Sequence, residues 1–223
     1  MQPSNIHQCP WDQKVFGMPC YEIADLDIQS AQWALEHSGH YTTRVSPLAN
    51  KQLLDQHGFY YCDTLIEPYC AKEKFIAHQD KRASLNKSST LVELLPISHQ
   101  AFVFGRFHRD HNIPRHLADQ RYDLWLTQLF NEGKVTDLLF DSKLVGFVAS
   151  ENNHLILHAM HSQYRGHGIA KFLWSLVCAE LFASGAKEIS SSISATNLAA
   201  VNLYSSLGFQ FRNARDIYHR LTK

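Results

Sequence analysis

The chain has 223 residues, enough to bury one large core or two small ones. Its 21 Lys+Arg balance 21 Asp+Glu, so no global field draws it to nucleic acid or to a membrane surface, and a small, locally recognised ligand is expected. No window reaches the roughly 18 consecutive apolar residues of a spanning helix, and MQPSNIHQCPWDQK lacks the apolar run of a leader, so a soluble, cytoplasmic protein is expected.

Cys9, Cys20, Cys62, Cys70 and Cys178 are odd in number and scattered, with no CxxC pair, which fits reduced structural thiols. The 14 histidines form no HExxH or His/Cys cluster, and no metal is expected.

In chain order, the first break is Gln79–Thr90, QDKRASLNKSST, whose polar, serine-rich composition suits a boundary. It separates an N-terminal α/β domain, residues 1–80, from a second domain, residues 90–223. The second domain opens with LVELLPISHQAFVFGRF, which reads as a short strand and then a helix signalled by Pro96-Ile97-Ser98. A polar segment, HRDHNIPRHLADQ, follows. Tyr122, Trp125, Leu126, Leu129 and Phe130 then recur at helical spacing up to Gly133.

TDLLF, KLVGFVAS and HLILHAMH are apolar runs joined by the turn pairs Asp141-Ser142 and Asn152-Asn153, as in an antiparallel meander. Ile169, Phe172, Leu173, Leu176, Val177 and Leu181 trace a helical stripe ending at Gly185. EISSSIS reads as a strand, Asn197 to Leu207 as a helix, and GFQFRNARDIYHRLT as a last strand or pair of strands. This order implies an α/β or α+β fold with a mixed, mostly antiparallel sheet flanked by helices.

The junction Gln163-Tyr164-Arg165-Gly166-His167-Gly168 joins the last strand of the meander to a helix. Unpaired N–H groups at a helix start converge on an anion with the helix dipole behind them, and glycines let backbone approach a phosphate. A tight corner without a ligand is the alternative. The GxGxxG spacing of a dinucleotide site and the GxxxxGK[ST] of a P-loop are both absent.

These residues resemble the Q/R-x-x-G-x-G/A acetyl-coenzyme A motif of the GNAT N-acetyltransferases. Asn197-Leu198-Ala199-Ala200-Val201-Asn202-Leu203-Tyr204, followed by Leu207-Gly208-Phe209, resembles the family's N-x-x-A-x-x-x-Y-x-x-x-GF. The segments WDQKVFG and GRFHRDHNIPRHLADQRYDLWL are similar to those of acetyltransferases of the dTDP-fucosamine type, which acetylate the amine of a nucleotide-linked amino-sugar.

The resemblance implies a GNAT fold and acyl transfer from acetyl-CoA to an amine, without a metal. It implies cofactor contacts from Ala159, Met160 and His161, whose backbone N–H groups would hold the acetyl carbonyl, and from Gln163, Tyr164, Arg165, Gly166, His167, Gly168, Ile169 and Ala170. It gives Tyr204 the role of acid toward the leaving sulfur, the alternative being a core tyrosine beneath Phe209. Asn197 is given a pantetheine contact, the alternative being a helix N-cap.

His158, His108 and Asp110 are candidates for handling the proton of the amine, although strand alternation leaves the direction of His158 open. Arg106, Arg109 and Arg115 suit nucleotide phosphates, and Phe107 is free to stack on a base, so Arg106, Phe107, His108 and Asp110 form the expected substrate-binding set. The partners implied are a small-molecule amine and, as an open option, a second copy in a homodimer; no nucleic acid and no membrane are expected. Lastly, Leu54-Asp55-Gln56-His57-Gly58-Phe59 repeats the spacing of Tyr204 to Phe209, which marks residues 1–80 as a degenerate half-GNAT with leucine in place of the tyrosine.

Overall fold

The computed structural model describes residues 1–99 and 101–223. In chain order the elements are β1 (Ile6–Gln8), α1 (Pro10–Phe16), β2 (Cys20–Ile23), α2 (Ile28–Glu36), β3 (Gly39–Val45), α3 (Gln52–Gln56), β4 (Tyr60–Ala71), β5 (Ala83–Asn86), α4 (Leu91–Ser98), α5 (Arg106–Arg109) and α6 (Arg115–Asn131). They continue as β6 (Val135–Phe140), β7 (Lys143–Glu151), β8 (His154–Met160), α7 (Ala170–Ala183), β9 (Glu188–Ser191), β10 (Ile193–Ser194), α8 (Leu198–Ser206) and β11 (Gln210–Thr222). Among the described residues no helix is long and apolar enough to cross a membrane.

The chain forms two compact units, and they differ from the expected division at residues 80–90. Unit 1 is Met1–Leu65, Phe104–Arg121 and Ala214–Lys223; unit 2 is Ile66–Val103 and Tyr122–Asn213. The reason is strand length: β4 and β11, at 12 and 13 residues, are each divided between the units, β4 after Leu65 and β11 after Asn213. The polar stretch Gln79–Thr90 is no simple linker, because β5 within it pairs antiparallel with β6.

In unit 1, β1 is antiparallel to β2, β2 is parallel to β3, and β3 is antiparallel to the C-terminal half of β11, from Asp216↔Val45 to Thr222↔Gly39. Its core comprises one cluster of Ile6, Ile23, Ala34, Tyr41, Leu54 and Phe59 and another of Val15, Phe16, Cys20, Phe107, Ile113 and Ala118. In α2 the first turn is closed by a reciprocal capping box between Asp27 and Ser30, which satisfies two N–H groups that would otherwise lack partners.

In unit 2 the meander is present: β5, β6, β7 and β8 pair antiparallel in succession. Asp141 and Ser142 both lie at positive φ (50° and 60°), the conformation of a two-residue hairpin turn whose twist matches the flanking strands. Helices α4 and α6 bury Leu94, Ile97, Leu126 and Leu129 against Phe147, Ala149, Leu157 and Ala159. Helix α7 buries Leu173, Trp174, Val177 and Cys178 against strand residues of alternate parity, such as Leu138 and Val148.

Three local expectations change. Leu91–Ser98 is one helix, because Thr90 and Glu93 form a capping box that starts it five residues before Pro96, whose ring removes only one N–H donor; Gln100, in the same segment, lies outside the described residues. Helix α6 begins at Arg115, with Leu117 and Ala118 N–H groups donating to Pro114 O, so half of the polar segment is helical. EISSSIS divides into β9 and β10, and β11 is a single strand.

Candidate active site

Strands β8 and β9 pair in parallel only at His154↔Ser190 and Leu155↔Ser191. Beyond Ser191 the chain turns aside and β10 pairs with β4 instead. Among the described residues, Ile156–Met160 therefore have a strand neighbour, β7, on one edge only. His161 N–H donates to Val145 O at 2.8 Å, and by the two-residue alternation Ala159 N–H also faces β7, while those of His158 and Met160 face the open edge. Of Ala159, Met160 and His161, only Met160 presents its amide to that edge, which corrects the wider expectation.

The glycine turn continues from this strand. Ser162–Tyr164 forms a 3-10 turn, held by His161 O accepting from Tyr164 N–H at 2.9 Å. Gly166 and Gly168 have φ of 81° and 72°, in the left-handed region, and a Cβ on either would meet nothing within 4 Å. Conformation, rather than crowding inside the chain, is what calls for glycine there. Among the described residues, the N–H groups of Gly166, His167 and Gly168 have no partner within the chain. They are exposed immediately before the 14-residue helix α7. Arg165 is anchored by its Nε on Met160 O at 2.9 Å and is otherwise exposed. Gln163 and His167 are exposed, Tyr164 and Ala170 half-buried, and Ile169 buried.

Tyr204 is fully buried on α8, with its ring 4.9 Å from that of Phe209. Its hydroxyl is nevertheless engaged: Oη lies 2.9 Å from His158 Nε2. The side chain of His158 thus lies on the α7/α8 face of the sheet, opposite to Leu157 and Ala159, with its ring perpendicular to Trp174 at 5.3 Å. Burial raises the Tyr204 pKa above its ordinary value and pushes His158 down to about 4, so a neutral phenol faces a neutral imidazole near pH 7. Asn197 is the N-cap of α8, its side chain accepting from Ala200 N–H at 3.2 Å.

The expected substrate-binding set is differently placed. Phe107 is 1% exposed, packs on Phe16 at 5.2 Å between ring centroids, and has no free face for a base. His108 Nε2 lies 2.9 Å from Asp119 Oδ1 with both side chains buried, so the His108 ring is engaged inside unit 1 rather than presented on its surface. Asp110 is buried and its carboxylate is engaged within the chain: it accepts from His40 Nε2 (2.8 Å), His219 Nδ1 (2.7 Å), the Tyr60 hydroxyl (3.0 and 3.1 Å) and Asn112 N–H (2.8 Å). Arg106 is half-buried with its guanidinium over the Phe107 ring, and Arg109 donates to the buried Asp63 at 3.0 Å. His108 and Asp110 are interior because each has a complement 11 to 109 residues away, a relation with no local signature.

His40, Asp110 and His219 are also the group of three potential metal-ligating side chains found among the described residues, with ligand atoms within 4.8 Å of one another. The carboxylate already holds both ring nitrogens at hydrogen-bond distance, so the donor atoms are committed to one another. Burial alone would raise Asp110, but the bonds from His219 and His40 outweigh it and hold the carboxyl well below its usual range. Burial pushes His219 down to about 3. All five cysteines are free, and burial pushes Cys20, Cys62 and Cys178 up to about 12 and Cys70 to about 11, far from reactive thiolates.

Residues 102–209 match the model of the acetyltransferase (GNAT) family. Among solved structures, the chain is similar to a GCN5-related N-acetyltransferase from Sphaerobacter thermophilus (TM-score 0.68, 13% identity, covering 97% of this chain and 76% of that one). It is similar to a putative GNAT-family acetyltransferase from Novosphingobium aromaticivorans (TM-score 0.54, 16% identity, 100% and 90% covered). A tandem GNAT protein from the clavulanic acid biosynthesis pathway aligns with a TM-score of 0.54 at 11% identity, over 92% and 76% of the two chains. No curated protein matches the sequence.

Proposed function

We propose that this acetyltransferase of GNAT fold uses its β8 edge, glycine turn and Tyr204 to transfer acetyl from acetyl-CoA to the primary amine of a nucleotide-linked amino-deoxysugar. The observation that carries the transfer reading is the meeting of three features in unit 2: a strand edge freed where β8 parts from β9, a run of unpaired N–H groups at the start of α7, and a tyrosine hydroxyl reaching β8. Backbone donors before a helix suit a pyrophosphate, and an edge amide suits an acyl oxygen.

In this reading the amine nitrogen attacks the thioester carbon. A C–N bond forms and the carbonyl π pair moves to oxygen, which accepts a hydrogen bond from Met160 N–H. The oxygen pair then re-forms the carbonyl as the C–S bond breaks, the C–S electron pair going to sulfur, which takes the Tyr204 hydroxyl proton. The nitrogen sheds one proton to water and the Tyr204 oxygen regains one, so the net movement is from amine to thiol. The reference pKa of tyrosine, about 10, exceeds that of a thiol, about 8.5, so the phenol is protonated when the sulfur departs.

The amino-sugar part rests on the likeness of WDQKVFG and GRFHRDHNIPRHLADQRYDLWL to the dTDP-fucosamine group. Since Phe107, His108 and Asp110 are interior, these segments are read as determinants of unit 1 rather than as direct sugar contacts. The repeated helix end at Leu54–Phe59 supports reading the first part as a half-GNAT that binds no coenzyme A.

A thiol-release assay with acetyl-CoA and a panel of dTDP- and UDP-linked amino-sugars, polyamines and peptides with free N-termini tests the proposal. The expected result is a kcat/KM for a nucleotide amino-sugar at least 100-fold above that for any polyamine. Equal turnover with polyamines or peptides would move the substrate to another amine. Saturable acetyl-CoA binding with no thiol release from any acceptor would make the chain a non-catalytic acyl-CoA binder.

A further inference from the structure

Tyr204 has the difficulty common to buried phenols. Its burial raises the cost of forming the tyrosinate, so handing its proton to a thiolate needs a donor on Oη as the O–H bond lengthens. Ser191 and Trp174 also lie beside the hydroxyl and favour its ionised form, and the imidazole nitrogen within reach of Oη is His158 Nε2, at 2.9 Å. His158 is half-buried, and Trp174 packs perpendicular to its ring, so the nitrogen is held toward Oη by two neighbours.

A neutral imidazole carries one N–H and two tautomers. With Nε2 bare, it accepts the Tyr204 proton and turns it away from any other acceptor. With Nε2 protonated, it donates to Oη and leaves the Tyr204 proton for another partner. One ring flip of proton position therefore decides whether the hydroxyl is withheld or presented.

We infer that His158 is the positioning residue of Tyr204, donating its Nε2–H to Oη in the coenzyme-bound enzyme so that the tyrosine proton is aimed at the sulfur. This rests on the acetyl-transfer reading above and assigns His158 no contact with the amine. The role is not as base for the acceptor, which the sequence left open. No proton leaves His158: the transferred proton is that of Tyr204, and the imidazole stays neutral throughout.

The tautomer is read directly by long-range 1H–15N spectra of the full chain, 15N-labelled at histidine and saturated with coenzyme A, with the His158 signals assigned by their loss in His158→Gln. A protonated Nε2 is the expected result, and a bare Nε2 accepting from Tyr204 overturns the inference. For turnover, with dTDP-fucosamine as acceptor, His158→Leu is expected to lower kcat 10- to 100-fold with KM for acetyl-CoA unchanged. His158→Gln, whose amide can still donate to Oη, is expected to lose no more than about threefold. An unchanged kcat in His158→Leu, or an equal fall in both variants, overturns it.

The two failures are distinguishable. Absence of coenzyme A binding by the wild-type chain sinks the acetyl-transfer reading itself. Wild-type turnover that is lost in Tyr204→Phe but kept in His158→Leu leaves that reading intact and removes only His158. If dTDP-fucosamine is not turned over, the tautomer measurement with coenzyme A still decides.

Discussion

Leu54 and Tyr204 occupy the same position in two copies of one helix end. Phe59 N–H donates to Leu54 O at 2.9 Å, and Phe209 N–H to Tyr204 O at 3.1 Å. Gly58 N–H donates to Asp55 O and Gly208 N–H to Ser205 O, with both glycines at positive φ, 66° and 83°. Both central side chains are buried, 2% and 0% exposed, and each motif leads into a long strand. The backbone is repeated; the hydroxyl is not.

The two positions therefore respond differently to truncation. Tyr204→Phe is expected to lower turnover by about 10²–10⁴-fold while leaving acetyl-CoA affinity unchanged, because only a proton donor is lost. Unchanged turnover in a thiol-release assay would return Tyr204 to the role of a core residue. Leu54→Ala is expected to leave acetyl-CoA affinity alone and to destabilise by about 2–5 kcal/mol, the cost of a buried cavity, measured by denaturant unfolding.

The glycines separate structural from ligand demands. A Cβ on Gly208 would lie 2.2 Å from Lys74 O, backbone that cannot move aside cheaply, and φ there is 83°. Gly208→Ala is expected to destabilise by more than the ~1 kcal/mol of a left-handed alanine alone. Gly166→Ala meets open space, so its stability cost is expected to stay near ~1 kcal/mol while acetyl-CoA affinity falls at least 10-fold. Thermal unfolding beside calorimetric titration of acetyl-CoA reads both.

Asp110 is the hub of unit 1, and its neutralisation is expected to be costly. Asp110→Asn replaces an acceptor by an N–H₂ facing the donors of His40, His219 and Tyr60, for a loss of about 2–4 kcal/mol in denaturant midpoint experiments.

The same cluster sets an acid limit. His219 has a folded pKa lowered to about 3, so the unfolded state binds a proton first as pH falls below about 6.5. Stability is then lost progressively between that pH and about 3. Asp110, also lowered in the fold, adds a further loss below about 3.9, where the unfolded carboxylate takes up its proton. Urea midpoints measured from pH 7 to 4 should fall in the wild-type chain and fall less in His219→Gln; an equal slope in both would rule the histidine out.

Unit 1 needs the end of the chain. Residues 214–223 pair with β3 and supply His219, so a fragment of residues 1–80 lacks both that strand and Asp110. It is expected to show no cooperative unfolding transition by circular dichroism, and a cooperative transition would show that unit 1 is self-sufficient.

The sequence alone determined what short-range physics writes into neighbouring residues. Hydrophobic period and turn pairs marked β6, β7, β8, α7 and α8, the spacing Gln163–Gly168 marked the glycine turn before α7, and the spacing Tyr204–Phe209 marked its echo at Leu54–Phe59. Even the start of α4 was written locally, in Thr90 and Glu93, although Pro96 drew attention away from it. The tertiary structure decided what depends on partners distant in the chain. A polar stretch such as HRDHNIP reads as solvated until Asp63, His40, Asp119 and His219 supply its complements, because desolvation is tolerated only where charges and donors meet. Likewise Tyr204 gained its neighbour from His158, 46 residues earlier, only when β8 and α8 met across the α7/α8 face of the sheet. The division of β4 and β11 between the two units was beyond any local pattern, since the strands they pair with, β9 and β3, lie far away in the chain.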